Sequence, residues 1–181
     1  MGDPRKIRKL YKPPRNPWVS DQLSQELNLL GVYGLRTKRE LWKAQTMLST
    51  VKKTARNMLS AAPEVRAVRE PELLNSLNTL GLASDATLDD VLGLTVENIL
   101  DRRLQSLVLK KGFANSIHHA RQVITHRHVV IGSQIVTIPS YLVKNNEEDS
   151  ISLREGSTIK DLLQNKPEPQ PQPETEDAPK E

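Results

Sequence analysis

The sequence predicts an α+β protein, in which a helical N-terminal body with a basic arm precedes a small α/β unit and a disordered acidic tail. Between residues 18 and 108 the apolar side chains recur every three or four positions, as in amphipathic helices. After residue 112 the β-branched runs HVVI and QIVTI flank Gly132-Ser133, which suits a two-residue hairpin turn. We therefore divide the chain into an arm (1–17), a helical body (18–101), the α/β unit (102–165) and the tail (166–181).

The helical body follows an arm that is rich in proline and has no apolar face, so we expect the arm to become ordered only against a partner. Ser20 is placed to cap a first helix, which Gly31 ends. A longer helix starts after Thr37. Its apolar stripe comprises Leu41, Ala44, Leu48, Val51, Ala55 and Met58.

Shorter helices complete the helical body. Pro71 suits the first turn of a helix that Gly81 closes. Thr87 and Thr95 are candidate N-caps, the second for a helix that continues to Val108.

In the α/β unit, Ser116 is a candidate cap for a helix over 117–125, and SISL at 150–153 is a candidate third strand. The tail is dominated by Pro, Gln and Glu and has no large apolar side chain to bury, which predicts disorder.

The net charge of +4 over 181 residues conceals an uneven distribution. Residues 1–60 carry 13 Lys and Arg against 4 Asp and Glu, and residues 101–145 carry 7 against 1. Acidic residues dominate elsewhere: residues 61–100 carry 2 Lys and Arg against 7 Asp and Glu, and residues 146–181 carry 4 Lys and Arg against 10 Asp and Glu. Two basic blocks separated by an acidic segment favour a polyanionic partner, nucleic acid or membrane surface, that is contacted at two places.

Composition argues against several other classes of protein. No run approaches the roughly 18 apolar residues of a membrane span, and the basic N-terminus lacks the apolar segment of a secretory signal. The chain has no cysteine, which fits an intracellular protein and leaves no thiolate for a metal site. Aromatic residues make up only 3% of the chain, so stacking of single-stranded bases is disfavoured.

All four histidines lie within IHHARQVITHRHVVI, residues 117–131. His118 and His119 are adjacent and point about 100° apart on a helix, so only His126 and His128 share a face. The neighbouring arginines oppose cation binding, and no serine or carboxylate is spaced for acid–base catalysis. This pattern favours a phosphate-binding surface over a metal site or a catalytic site.

The candidate RNA contacts are cationic or polar and fall into three groups. The arm contributes Arg5, Lys6, Arg8, Lys9, Lys12 and Arg15. The long helix contributes Lys52, Lys53 and Arg56, which lie off its apolar stripe and would otherwise form an ordinary solvated face. The α/β unit contributes Arg102, Arg103, Gln105, Lys110, Lys111, His118, Arg121, Gln122, His126, Arg127 and His128. We expect this last group to face outward from two short helices and to recognise the backbone and shape of folded RNA.

Residues 102–143, RRLQSLVLKKGFANSIHHARQVITHRHVVIGSQIVTIPSYLV, resemble the S-four RNA-binding domain, a helix–turn–helix-like pair with a small sheet. The points of match are Arg103-Leu104, Gly112-Phe113-Ala114, Ala120-Arg121-Gln122, His126-x-His128 and Pro139-Ser140-Tyr141. Upstream, MGDPRKIRKLYKPPRNPW, YGLRTKRELWKAQ and DVLGLTVENILDRRLQ are similar to the archaeal and eukaryotic form of the S-four family of small-subunit ribosomal proteins. The resemblance covers residues 1 to about 154.

The resemblance implies a cytoplasmic, non-enzymatic constituent of the small ribosomal subunit that binds small-subunit ribosomal RNA and nucleates assembly of the subunit body. It also implies a place beside ribosomal protein S-five, near the messenger RNA entry site, with an influence on translational accuracy. No cofactor and no membrane contact are implied. Some bacterial relatives carry zinc-binding cysteines that this chain lacks, so we expect no zinc.

Two features of the sequence, the hairpin turn and the tail, depart from the pattern of the S-four family. The turn reads Gly132-Ser133-Gln134-Ile135 where relatives commonly have Asn-Gly and basic residues, which weakens the case for RNA contact there. The tail matches no family motif.

An RNA-modifying enzyme would need a catalytic domain, and the rest of the chain offers neither a Gly-rich cofactor loop nor a carboxylate cluster. A DNA-binding helix–turn–helix regulator is compatible with the topology alone.

Overall fold

A computed structural model describes residues 9–82 and 87–157 of the chain. Within these ranges the chain is mainly helical and carries one small antiparallel sheet, which confirms the α+β class. The helices are α1 (Ser20–Val32), α2 (Lys38–Leu59), α3 (Pro63–Thr79), α4 (Leu88–Gly93), α5 (Val96–Asp101), α6 (Leu104–Lys110), α7 (Ile117–Thr125) and α8 (Asn145–Glu148). The strands are β1 (Val129–Ile131), β2 (Gln134–Ile135) and β3 (Ile151–Leu153). Arg5, Lys6, Arg8 and the acidic tail lie outside the described residues.

Helix α2 is the centre of the N-terminal body, because α1, α3, α4 and α5 all pack against it. Its apolar stripe is buried as predicted, with Val51 only half-buried. Thr37 precedes its first turn, and Thr87 and Thr95 precede α4 and α5 as predicted. The backbone N–H of Thr87 donates to Asp90 Oδ2 at 2.8 Å, a reciprocal cap that fixes the start of α4.

The end of α1 differs from the prediction. Gly31 lies inside the helix, and Gly34, with φ of +56°, provides the left-handed residue that ends it. Leu35 N–H then donates to the carbonyl of Leu30 at 3.0 Å, which satisfies a carbonyl at the helix end. Ser20 is the first residue of α1 rather than its cap, a position that Val19 occupies.

Two further helix boundaries were predicted wrongly. Helix α3 begins at Pro63 and continues through Pro71, because Pro63 also suits a first turn and the helix tolerates the loss of one backbone hydrogen bond. The helix predicted to run to Val108 is broken between α5 and α6. The segment 139–143 lies alongside the break, where Leu104 N–H donates to Tyr141 O at 2.8 Å and Val143 N–H donates to Arg102 O at 3.0 Å.

The α/β unit has its own apolar core, built by α6, α7 and the sheet around Leu104, Val108, Ile124 and Val129. Strand β1 is central, and the strand order is β2-β1-β3. The Gly132-Ser133 turn joins β1 to β2, and the predicted third strand is β3. A separate apolar cluster lies in the N-terminal body, between residues 35 and 100. In the described ranges, no helix is both long and apolar enough to cross a bilayer.

Candidate nucleic-acid interface

Helix α7 presents a polar outer face. Ser116 caps it as predicted, with His119 N–H donating to Ser116 Oγ at 3.2 Å. Ala120, Val123 and Ile124 are buried against the core of the α/β unit. His118, Gln122 and His126 are therefore exposed on the opposite side. The helix itself contains no carboxylate, so this face is suited to an anionic partner.

Arg127 follows α7 in an unusual backbone conformation. Its φ is +66°, a left-handed value that a residue with a side chain seldom adopts. Arg127 N–H donates to Ile124 O at 3.1 Å and His128 N–H donates to Val123 O at 3.2 Å, so the strained residue ends the helix. Its side chain is exposed, while His128 is half-buried with Nδ1 at 2.9 Å from Ser157 Oγ.

The lysines at the end of α6 differ in their surroundings. Lys110 is exposed and lies 3.4 Å from Asp101, in an ion pair whose two side chains are each about half exposed. Such a pair is weak in water, so Lys110 can also serve a partner. Lys111 is half-buried and donates to the backbone carbonyl of Glu148.

Arg103 and Gln105 are buried, with exposed fractions of 5% and 1%, so the expectation that they face outward is wrong. Arg103 Nη2 lies 2.8 Å from Glu40 Oε2 on α2. Gln105 Nε2 donates to the carbonyls of Ile117 (2.9 Å) and Gly34 (3.3 Å). After the break before α6, Arg103 faces α2, and Gln105 lies between Gly34 and the start of α7.

Glu40 receives a second arginine, because Arg121 Nη2 lies 2.7 Å from its Oε1. Burial by itself would raise the pKa of Glu40, but hydrogen bonds from Arg121 and Arg103 outweigh burial and hold this pKa below its usual value. Arg121 is only partly exposed, so an RNA contact by its guanidinium would compete with this ion pair.

Arg102 points to the other side of the same junction. Its Nε donates to the carbonyl of Leu80 at 2.9 Å, and its Nη1 lies 2.5 Å from Glu148 Oε2. A Cβ at Gly81, where φ is +66°, would come within 2.8 Å of the Arg102 guanidinium carbon, so a larger residue there would strain the backbone and displace the guanidinium. Arg102 therefore joins the end of α3 to α8, and little of its guanidinium is available to a partner.

In the N-terminal body, Lys9, Lys12, Arg15, Lys53 and Arg56 are exposed. Lys52 is half-buried. In the described part of the arm, Lys12 N–H donates to Thr46 Oγ1 of α2 at 2.9 Å.

Sequence reasoning missed Glu40 and Gly34, which hold the arginines and Gln105 at the junction. A signal for Glu40 was present, since it is one of only four acidic residues among the first 60.

Within residues 9–82 and 87–157, no group of three or more His, Asp or Glu side chains is arranged to hold a metal ion.

Comparison with known proteins is decisive for the family. The model of the S4 domain matches residues 102–149. The small ribosomal subunit protein uS4 of Ignicoccus hospitalis is 52% identical over 152 residues, covering 83% of this chain and 92% of its own length. The uS4 protein of Hyperthermus butylicus is 51% identical (83% and 86% covered), and that of Metallosphaera sedula is 46% identical over 162 residues (88% and 90% covered). The chain belongs to the uS4 family.

Membership of the uS4 family confirms the resemblance found in the sequence. The S4 match begins at residue 102, at the break between α5 and α6. The uS4 relatives are ribosomal proteins rather than enzymes, so the alternative of an RNA-modifying enzyme is set aside. The matches to whole uS4 proteins also include the helical body. The helical body and the α/β unit, hereafter the S4 unit, are therefore together typical of the uS4 family.

Proposed function

We propose that the chain is a structural constituent of the small ribosomal subunit and binds small-subunit ribosomal RNA. Membership of the uS4 family and the S4 match over residues 102–149 support this proposal. The observation that carries it is the outer face of α7 with its exit, where His118, Gln122, His126 and Arg127 are exposed together on a helix without carboxylates. These side chains and Lys110 contact phosphates and sugars of folded RNA.

The buried and half-buried arginines of the S4 unit have a supporting role in this proposal. Arg103 and Arg121 are bound to Glu40, and Arg102 is bound to Glu148. Because a bound arginine would have to give up its carboxylate to reach RNA, these residues shape the surface, and the exposed ones make the main contacts.

A salt titration of binding to small-subunit ribosomal RNA tests the proposal, with transfer RNA and duplex DNA as competitors. Arg127→Ala should lower affinity and reduce the slope of log affinity on log salt by about 0.7–0.9, the loss of one phosphate contact. Arg69→Ala, at an exposed arginine of α3, is the matched control and should change neither. Equal binding to all three nucleic acids would contradict the proposal, and preference for duplex DNA would favour a DNA-binding regulator.

We also propose the finer roles that the family resemblance implies. The chain binds early, nucleates the subunit body and, beside ribosomal protein S-five and the messenger RNA entry site, influences accuracy. Reconstitution of subunits without the chain should stall before later proteins bind. Subunits that carry an Arg127→Ala chain should show a changed misreading frequency, and normal assembly together with normal accuracy would contradict these roles.

A further inference from the structure

The described part of the chain ends beside the exit of α7. Ser157, its last residue, is buried, and Ser157 Oγ lies 2.9 Å from Nδ1 of His128. Three residues earlier, Arg154 N–H donates to the carbonyl of His128 at 2.8 Å. His128 directly follows Arg127, the exposed residue that ends α7. The residues beyond 157 are therefore attached to the molecule at the exit of α7.

The outer face of α7 consists of the exposed residues His118, Gln122, His126 and Arg127. The helix contains no carboxylate. The guanidinium of Arg127 opposes the partial negative charge at the C-terminal end of α7, and no carboxylate of residues 9–82 or 87–157 forms an ion pair with it. Within these ranges the outer face is thus a helix face without an anionic partner.

The tail, residues 166–181, has the opposite charge. It carries five carboxylates against two lysines, and three of the carboxylates lie close together, at Glu174, Glu176 and Asp177. Glu174 follows Ser157 by 17 residues, a length of chain that can span up to about 55 Å. Helix α7 is only about 13 Å long. The acidic residues of the tail can therefore reach the whole of the outer face.

We propose that the acidic residues of the tail dock on the outer face of α7 in the free protein. Charge complementarity supports this contact, and so does the place where the tail is attached. A tether raises the local concentration of its end most strongly near its own anchor, which here is the exit of α7. Contacts between exposed charges are weak and are screened by salt, so the docking is reversible.

A docked tail competes with RNA for this face. The competition rests on the proposed function, which assigns RNA to the same residues, whereas the docking itself does not. With an effective concentration of about 1 mM and a docking dissociation constant of about 0.1–1 mM, the tail weakens RNA binding by about 2- to 10-fold. Every nucleic acid that uses the face must displace the tail, so the factor is the same for specific and non-specific RNA.

The docking is tested on the full chain without RNA. The tail variant combines Glu174→Gln, Glu176→Gln and Asp177→Asn, and the matched control combines Glu64→Gln, Glu72→Gln and Glu97→Gln, three exposed glutamates of α3 and α5. Backbone amide chemical shifts are measured by NMR at low salt and at about 1 M salt, where the Debye length is about 3 Å.

The parent and the tail variant should differ along the outer face of α7 at low salt and should coincide at high salt. The control should match the parent on this face in both solutions. Identical α7 shifts for parent and tail variant at low salt would overturn the proposal. Tail-dependent shifts on α2 instead of α7, or shifts that grow with protein concentration because the tail of another copy binds, would overturn it as well.

A second measurement separates this inference from the proposed function. The affinities for transcribed small-subunit ribosomal RNA and for transfer RNA should both rise by about 2- to 10-fold in the tail variant. They should stay unchanged in the control, which removes the same number of charges. If the tail docks on α7 by NMR but neither affinity changes, the docking stands and the assignment of RNA to this face fails. If Arg127→Ala weakens RNA binding but the tail variant changes neither shifts nor affinity, the docking fails and the proposed function stands.

Discussion

Arg121 binds both carboxylate oxygens of Glu40, a residue 81 positions earlier in the chain, with Nη2–Oε1 and Nη1–Oε2 distances of 2.7 and 3.3 Å. Arg103 reaches the same carboxylate from the start of α6 at 2.8 Å. One acidic side chain of α2 thereby holds two cations of the S4 unit, and its removal would leave those cations facing each other without a counter-charge.

Glu40→Gln should destabilise the protein by about 3 kcal/mol, because loss of one partner from a buried ion pair leaves the other charge uncompensated. Urea unfolding followed by circular dichroism would measure this change. Glu64→Gln, at an exposed glutamate in the first turn of α3, is the control and should stay within about 0.5 kcal/mol of the parent. A loss below about 1 kcal/mol for Glu40→Gln would show that the junction does not depend on this charge.

The stability of the free protein should fall in acid. The pKa values of Glu40 and Glu26 are both lowered from 4.5: burial raises each, and hydrogen bonds from their partners outweigh it. A lowered pKa in the folded state gives stability that is fully present above 4.5 and is lost as the pH falls through the folded-state value. Unfolding measured between about pH 6 and pH 3 should show this loss, and Glu40→Gln should show a smaller one. Equal acid dependence in both proteins would contradict the assignment to Glu40.

Gly34→Ala and Gly31→Ala should have opposite effects. A Cβ at Gly34 would lie 2.8 Å from Ile117 Cγ2 at a φ of +56°, so this change should cost about 2 kcal/mol or more. A Cβ at Gly31 meets nothing within 4 Å and replaces a helical glycine, which should stabilise by about 0.5–1 kcal/mol. Thermal unfolding of the two variants would measure these opposite changes in stability. A stabilised Gly34→Ala protein would mean that α1 does not end as described.

Arg127→Gly should improve stability and weaken RNA binding. Glycine adopts the φ of +66° without the cost that a side chain imposes, so the protein should gain about 0.5–1 kcal/mol. The loss of the exposed guanidinium should lower the affinity for small-subunit ribosomal RNA. Arg127→Lys keeps a cation and the strained backbone, and should change both quantities less. If Arg127→Gly gained stability at full affinity, the guanidinium of Arg127 would have no role in RNA binding.

The sequence predicted those elements whose signals are local. The stripe of α2, the caps of α4, α5 and α7, and the Gly132-Ser133 hairpin all follow from neighbouring residues. The break between α5 and α6 could not be predicted in this way. It depends on the segment 139–143, which arrives from more than thirty positions away and replaces the hydrogen bonds of a continuous helix.

The same break explains why the candidate site was predicted only in part. A regular helix through Val108 gives no reason for Arg103 and Gln105 to turn inward, whereas the actual backbone buries both. Lys110, Gln122 and Arg127 are exposed because they lie off the apolar faces, a pattern that the sequence contains. Contact between these residues and RNA stays a prediction.

The chain passes directly from the N-terminal body into the S4 unit at Arg102 and Arg103. This direct connection limits the transfer of the S4 unit to another protein. No spacer separates the two apolar cores. Arg103 and Arg121 have their carboxylate partner in the N-terminal body, and Gln105 donates to Gly34 O there as well as to Ile117 O within the S4 unit. An S4 unit transplanted from this chain onto a different host would bring three side chains that need a carboxylate and a carbonyl in fixed positions. Such a graft would succeed only if the new host presented those groups or if the three residues were exchanged for apolar ones.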